Sequence, residues 1–212
     1  MKKILDYFSV EGVVGGSQEW FRNVVMYIGG CAAATACDCC IYLALRRGMT
    51  NLYPYDVHAL TKRDYINFSM KMKPYLRPRV SGVNKLWLFT EGFGNYLSDV
   101  GERRISMEEL AGTEDLRTAE DFIKWHIDSG YPVPYLLLRH KNEHFKDFVW
   151  HWFLCYGYEE KADGMWITAA TYGRSHSFLL KDMWATGYKE KGGLIGLKLS
   201  DATFGQMCYN IK

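Results

Sequence analysis

The hydrophobic pattern of this 212-residue chain changes near Gly130, and that change constrains its fold more than any other feature. Before Gly130, apolar residues recur at helical spacing. After it, short apolar runs are separated by turns. Helices followed by strands indicate the α+β class, with an antiparallel sheet. We therefore expect a single domain over residues 1–212, mainly helical to about residue 130 and mainly antiparallel strands from about residue 131.

Capping residues and glycine stops place the predicted helices. Thr61, with Asp64 three residues later, is typical of a capped helix start, and Gly48 follows two arginines as a stop. The first thirty residues are glycine-rich and predict loops. The predicted helices are about Ala32–Arg46, Thr61 to just before Pro74, about Asn84–Leu97, a short one starting at Ser106 with Glu109, and one from Thr118 with Asp121 to Gly130.

Runs of β-branched and aromatic residues after Gly130 predict the strands. A turn at residues 161–164 (KADG) separates two of them and predicts a hairpin. The predicted strands are Val133–Arg139, Trp150–Tyr158, Met165–Tyr172 and Leu194–Leu199, with a further candidate at Thr203–Ile211.

Charge and composition exclude several classes of partner. The 26 basic and 24 acidic side chains leave a net charge of +2, too balanced for binding to nucleic acid or to an anionic membrane surface. The one basic cluster, Lys71–Arg79, is interpreted as a solvated loop. The apolar stretch Val24–Leu45 has Asp38 near its centre, which favours a buried core helix over a membrane span. We expect no nucleic-acid partner and no membrane partner.

The start of the chain and its cysteines predict a cytoplasmic protein. The N-terminal residues lack the features of a secretory signal, so the six cysteines are expected to be reduced thiols. Cys37, Cys39 and Cys40 point in different directions on a helix and cannot converge on one metal ion. His140 and His144 have no carboxylate at fitting spacing beside His151. We expect no metal and no cofactor.

Cys31 is the candidate nucleophile. It follows Gly29-Gly30 and opens the predicted small-residue helix, where the helix dipole and free N–H groups favour a thiolate. The same N–H groups are suited to stabilising an oxyanion. The alternative is a buried cysteine in a tight turn.

His151 is the candidate base, and it lies at the start of a predicted strand. It comes 120 residues after Cys31, so the two meet only if the fold brings them together, as in other cysteine nucleophile sites. Trp150 and Trp152 flank it and are expected to exclude water and hold the ring. The alternative is a core histidine on an aromatic strand.

Several segments resemble papain-like cysteine peptidases, in particular the branch that includes bacteriocin-processing double-glycine peptidases. The string GGCAAATACDCCIYLAL is similar to the helix that carries the nucleophile. PVPYLLLRH and WHWFLCYGYEE resemble the strand before the catalytic histidine and the histidine strand. ITAATYGRSHSFLLKDMW resembles the strand of the third catalytic residue and the aromatic-glycine turn after it. The resemblance covers about Gly29 to Trp184 and implies a papain-like fold.

The resemblance also implies two further site residues, and at both the chain departs from the family pattern. The third catalytic residue is usually Asp or Asn, whereas this chain has Ala170-Thr171, so Thr171, Thr168 or a backbone carbonyl is left to orient His151. An oxyanion-stabilising Gln lies a few residues before the family's cysteine. Gln18 is the candidate here, with Asn23 as the alternative. Asp38 is interpreted as a partner for buried polar groups rather than as part of the chemistry.

The resulting prediction is a cysteine hydrolase or peptidase that cleaves a peptide or other amide through an acyl-enzyme. Cys31, His151, Thr171 and Gln18 are its site residues. Two alternatives stay open: a non-catalytic binding module on the same fold, favoured by the missing carboxylate or amide, and an acyltransferase that uses the same Cys31–His151 pair.

Overall fold

The computed structural model describes residues 1–79 and 82–200 of the chain. Helices and strands are interspersed along the chain, whereas the sequence pattern predicts helices first and strands after them. The α-helices in the described residues are α1 (Val24–Gly29), α2 (Cys31–Arg47), α3 (Lys62–Met72), α4 (Leu86–Asp99), α5 (Leu116–Asp128) and α6 (Leu180–Trp184). The strands are β1 (Lys2–Ile4), β2 (Ser9–Val10), β3 (Val13–Val14), β4 (Ile105–Ala111), β5 (Val133–Leu137), β6 (His151–Lys161), β7 (Gly164–Thr171), β8 (Arg174–Leu179) and β9 (Gly192–Leu199).

The main sheet is antiparallel, in the order β4-β9-β5-β6-β7-β8 within the described residues. Strand β6 is the longest, and a register shift between Cys155 and Gly157 bends it. Its first half pairs with β5, and its second half pairs with β1. Strands β6 and β7 form the hairpin predicted around residues 161–164. The sheet and the helices packed on it confirm the α+β class.

Helix α2 lies at the centre of the molecule and packs against β6. Its small side chains allow this close approach, and Ala32, Ala33 and Ala36 are fully buried. Arg46 and Arg47 occupy its last turn, and Gly48 ends it with φ +66°. The stretch around Asp38 is therefore a buried core helix, as its sequence predicts. None of the helices in the described ranges is both long and apolar enough to cross a bilayer.

The helix prediction is confirmed where capping chemistry is local. Thr61 caps α3, and its Oγ1 accepts the Asp64 N–H at 3.1 Å. Helix α5 begins two residues before the predicted Thr118, because Asp115 is the cap: its carboxylate accepts the Thr118 N–H at 2.8 Å.

The short helix predicted at Ser106 and Glu109 is wrong, because these residues form strand β4. The strand pairs with β9 along its whole length, from Ile105 opposite Leu199 to Ala111 opposite Gly193. The helix-forming residues Met107 to Ala111 are thus overridden by backbone pairing with a distant strand. The candidate strand at Thr203–Ile211 lies outside the described residues.

Candidate active site

Cys31 is the first residue of α2, and its thiol faces free backbone N–H groups. Gly30 joins α1 to α2, and no side chain in the described chain caps α2. A Cβ at Gly30 would lie 2.4 Å from the Met26 carbonyl oxygen, so the sharp turn requires glycine. The backbone N–H groups of Cys31 and Ala32 act on the sulfur. This is the local environment expected for an anion at a helix N-terminus.

Strand β6 crosses in front of this helix terminus. The backbone N–H of Trp152 lies close enough to the Cys31 thiol to lower its pKa, which brings the neighbouring residue, His151, to the same site. Cys31 and His151 line one open groove, and both also line a small cavity behind it. The fold therefore brings together two residues that are 120 positions apart.

The His151 ring is anchored by Thr171 on the adjacent strand β7. Its Nε2 lies 2.7 Å from Thr171 Oγ1, and both side chains are buried. The prediction that these residues lie on neighbouring strands is confirmed by the β6–β7 pairing. Thr171 rather than Thr168 is thus the hydroxyl that contacts the ring.

Tyr172 covers one face of the imidazole, a contact that the sequence does not predict. The ring centroids are 4.5 Å apart and the planes differ by 5°. The Tyr172 hydroxyl lies 3.4 Å from His151 Nδ1 and donates to the Asp147 carbonyl. In parallel stacked rings that oxygen sits over the imidazole face, whereas the Nδ1 lone pair lies in the ring plane. Nδ1 thus keeps its in-plane position for another partner.

The two tryptophans beside His151 do not hold its ring, contrary to the sequence prediction. Trp152 is buried, stacks on Phe89 and donates its Nε1–H to the Val83 carbonyl. Trp150 is 47% exposed and lies at the groove. Trp152 points to the face of β6 opposite to His151, as alternation along a strand requires, whereas Trp150 precedes the strand and has a φ of 53°.

Burial keeps the candidate pair neutral. It lowers the pKa of His151 to about 3, with a smaller contribution from the nearby His176. Burial also raises the pKa of the Cys31 thiol, an effect that the N–H groups of Trp152, Ala32 and Cys31 only partly offset. A thiol and a neutral imidazole are therefore the resting state near pH 7. The sequence prediction of a resting thiolate is wrong because desolvation outweighs the helix terminus. Within the described part of the chain, the His151 ring bonds Thr171 and is stacked on Tyr172, with no hydrogen bond to Cys31.

Gln18 lies beside Cys31 and lines both the groove and the cavity. Its Nε2 donates to the Tyr27 carbonyl at 3.2 Å, and the second N–H of the amide has no partner among residues 1–79 and 82–200. Its Oε1 is buried without a partner in the described residues. Asn23 has a different role, since its Oδ1 caps α1 by accepting the Met26 N–H. Gln18 is thus the better placed of the two amides.

The groove has a volume of about 550 Å³, which is within the usual range of ligand-binding pockets. Two of its residues, Trp150 and Tyr172, have positive φ values of 53° and 51°. Such backbone conformations are strained for aromatic residues and concentrate at functional sites. Its lining is mainly apolar and includes Ile28, Val83, Leu136, Leu138, Val149 and Trp150, with Arg79 and Asn84 as polar members.

The remaining histidines lie apart from this pair or behind it. His140 contacts the Asp182 carbonyl at 2.9 Å, away from His151. His176 lies on β8 opposite Ala169, with its Nε2 buried and unpartnered among the described residues. No group of three His, Cys, Asp or Glu side chains in residues 1–79 and 82–200 is arranged to hold a metal ion.

Comparisons of the chain with protein-family models, with curated proteins and with solved structures found no match.

Proposed function

We propose that the groove is the active site of a papain-like cysteine hydrolase that cleaves a peptide or another amide. The observation that carries the proposal is that Cys31, at the uncapped start of α2, shares the groove with His151 and the small cavity with the His151–Thr171 pair. A nucleophile, a base and a residue that orients the base are the minimum set for acyl transfer.

The reaction starts from the neutral pair. His151 Nδ1 takes the thiol proton as the Cys31 sulfur attacks the amide carbonyl carbon. The C–N bond then breaks, the imidazolium returns the proton to the leaving amine, and a thioester remains on Cys31. A water molecule, deprotonated by His151, attacks the thioester and releases the carboxylic acid and the thiol. Thr171 holds Nε2 throughout, which leaves Nδ1 as the nitrogen available to the sulfur.

The oxyanion formed in each step lies near the start of α2. The N–H groups of Cys31 and Ala32 and the free N–H of the Gln18 amide are the available donors. A donor of this kind contributes about 3 kcal/mol to transition-state stabilisation in other acyl-transfer sites. The apolar lining of the groove favours substrates with aliphatic or aromatic groups beside the scissile amide.

The test is acyl-enzyme trapping with a peptide and thioester library, followed by mass spectrometry of the intact protein. We expect one acyl adduct on Cys31 and its loss in Cys31→Ala. Cys40→Ala, which removes a fully buried thiol from the same helix, is the matched control and should keep the adduct. Hydrolysis that persists in Cys31→Ala would exclude the proposed nucleophile.

A second candidate is a non-catalytic binding module with the same groove. It is favoured by the Tyr172 ring that covers His151 and by the two ring nitrogens that contact Thr171 and Tyr172 rather than Cys31. This function predicts peptide binding that is unchanged in Cys31→Ala, with no acyl adduct on the wild type. An acyltransferase uses the same steps, with an amine in place of water, and added amines would then appear in the product.

A further inference from the structure

Asp38 is a buried carboxylate that the proposed reaction does not use. It lies on α2, two turns after Cys31, and is 5% exposed. Three donors hold it: the Tyr7 hydroxyl at 2.7 Å, the Tyr65 hydroxyl at 2.8 Å and the Gly16 N–H at 3.2 Å. No cationic partner is among these groups, so the burial of this charge is costly despite the three hydrogen bonds.

Asp38 shares a small cavity with the candidate catalytic residues. The cavity has a volume of about 20 Å³, and Asp38, Thr35, Cys31, His151 and Thr171 are among its lining residues. That volume is enough for one water molecule, and the lining supplies the polar partners that a buried water needs. The cavity thus lies between the carboxylate and the hydroxyl that contacts His151 Nε2.

A carboxylate at one end of a hydrogen-bond chain favours one direction for the bonds in it, because the negative charge attracts each hydrogen towards it. Ionised Asp38 only accepts, so a water in the cavity donates to it. The charge then favours the arrangement in which this water accepts from the Thr171 hydroxyl. The Thr171 oxygen then accepts from His151 Nε2–H. The imidazole is left with its proton on Nε2 and a lone pair on Nδ1, the form that takes the proton of Cys31.

We propose that Asp38 sets the tautomer of His151 through Thr171 and one water in the shared cavity. Asp38 is thus a positioning residue that supplies the acidic group missing beside the histidine. The inference rests on the proposed function, since it assigns the tautomer that the proposed base requires. No proton is transferred along the chain, and the carboxylate keeps its charge during the reaction.

Protonation of Asp38 should release this control. Burial raises its pKa to about 6, and the bonds from Tyr7, Tyr65 and Gly16 limit the rise. The other titratable groups facing it are Cys37 and Cys39, whose pKa values burial raises, so both thiols stay neutral. His151 itself stays neutral down to much lower pH. Its tautomer can therefore change between pH 7.5 and 5 while the ring remains uncharged.

The test is a long-range ¹H–¹⁵N correlation spectrum of the full chain with labelled histidine, in which the two tautomers give different cross-peak patterns. His151→Gln assigns the His151 signals. We expect the Nε2–H form in the wild type at pH 7.5, and a mixture or the Nδ1–H form in Asp38→Asn. Asp128→Asn is the matched control, because Asp128 also accepts a tyrosine hydroxyl, from Tyr158 at 2.9 Å, but lies on α5. It should leave the tautomer unchanged.

A pH titration provides the second readout and applies even if Asp38→Asn does not fold. The wild-type tautomer should change with a midpoint near that of Asp38. Tyr7→Phe removes a bond to the carboxylate and should move the midpoint to higher pH. The inference is overturned if folded Asp38→Asn keeps the wild-type tautomer of His151. It is also overturned if the tautomer stays the same between pH 7.5 and 5 in both the wild type and Tyr7→Phe. Absence of an acyl adduct on Cys31, with the tautomer behaving as expected, instead overturns the proposed function alone.

Discussion

Among the five cysteines that the structure describes, Cys31 differs from the others in both exposure and hydrogen bonding. It is 9% exposed and lines the groove, whereas Cys37, Cys39, Cys40 and Cys155 are 0% exposed. Burial raises the pKa of all five thiols, but only at Cys31 do three backbone N–H groups oppose it. Reactivity towards an electrophile should therefore be concentrated at this residue.

The first prediction is selective alkylation of Cys31. At pH 7.5, iodoacetamide should label it at least about tenfold faster than the four buried thiols, because access and thiolate stabilisation act together. Peptide mapping by mass spectrometry over time gives the five rates. His151→Gln should slow the labelling of Cys31 and leave the other rates unchanged. Equal rates at Cys31 and Cys155 in the folded protein would remove the nucleophile assignment.

A second residue-scale prediction concerns the hydroxyl of Thr171. Thr171→Val keeps the shape of the side chain but leaves His151 Nε2 without its 2.7 Å partner. We expect turnover of any amide substrate to fall by roughly tenfold to hundredfold, because the ring loses its orientation. Stability should fall by about 1–2 kcal/mol, since a buried nitrogen is left unpaired. Thr171→Ser keeps the hydroxyl and should retain most of the turnover. A Thr171→Val enzyme with wild-type turnover would leave Thr171 a structural role only.

At the scale of elements, the turn from α1 into α2 determines where Cys31 lies. Gly30 ends one helix and starts the next, and its N–H donates to the Met26 carbonyl. Its φ of −86° is open to any residue, so the requirement for glycine comes from space rather than from the backbone angle.

Gly30→Ala tests that requirement. The new methyl group meets the Met26 carbonyl oxygen at 2.4 Å, and a backbone atom cannot move aside as a flexible side chain does. We expect a loss of about 2 kcal/mol or more in the free energy of unfolding, with slower labelling of Cys31. The matched control is Gly94→Ala in α4, where the nearest atom to the new Cβ is 3.5 Å away. That change should be neutral or stabilising by up to about 1 kcal/mol. Chemical denaturation measures both, and similar losses in the two variants would contradict the argument.

Elements were predictable from the sequence where their signals are local. The cap at Thr61, the stop at Gly48 and the small-residue run after Cys31 depend on neighbouring residues, and the corresponding helix ends lie within about a residue of their predicted positions. Strand β4 was not predictable in this way. Its helix-forming residues become a strand only because β9, some ninety positions later, pairs with them.

The candidate site was also predictable only where its signals are local in the sequence. The glycine pair before Cys31 and the strand around His151 are visible in the sequence. The stacking of Tyr172 on His151 depends on a positive φ at Tyr172, and the cavity shared with Asp38 depends on how α2 packs on the sheet. The aromatic-glycine pair Tyr172-Gly173 is the one sequence signal that pointed to this turn.

At the scale of the whole molecule, buried titratable groups make stability depend on pH. Burial lowers the pKa values of His126, His151 and His176 below the usual 6.5. In the unfolded chain these residues bind protons near pH 6.5, whereas in the folded chain they bind protons only at lower pH. Their contribution to stability is therefore present above pH 6.5 and is lost as the pH falls. For His151, with a folded pKa of about 3, the full loss corresponds to roughly 4–5 kcal/mol.

Asp38 acts in the opposite direction. Its folded pKa of about 6 lies above its usual 3.8, so the folded chain binds this proton more readily than the unfolded chain does. Above pH 6 the buried charge lowers the free energy of unfolding by up to about 3 kcal/mol. This loss of stability disappears as the pH falls towards 4 and the carboxylate becomes protonated. Between pH 6 and 4 the effects of Asp38 and His151 therefore partly cancel.

The last prediction separates the two effects by urea unfolding at pH 7.5, 6, 5 and 4. Asp38→Asn removes the compensating group, so its free energy of unfolding should fall more steeply below pH 6 than that of the wild type. His151→Gln removes a proton site that only the unfolded chain fills, so its curve should be shallower. Other carboxylates, such as Glu108, have pKa values that are lowered in the folded chain, in this case by Lys198. They reduce the free energy of unfolding at low pH equally in all three proteins, so their effect cancels in the comparison. Parallel curves for the wild type and both variants would mean that folding shifts the pKa of neither Asp38 nor His151.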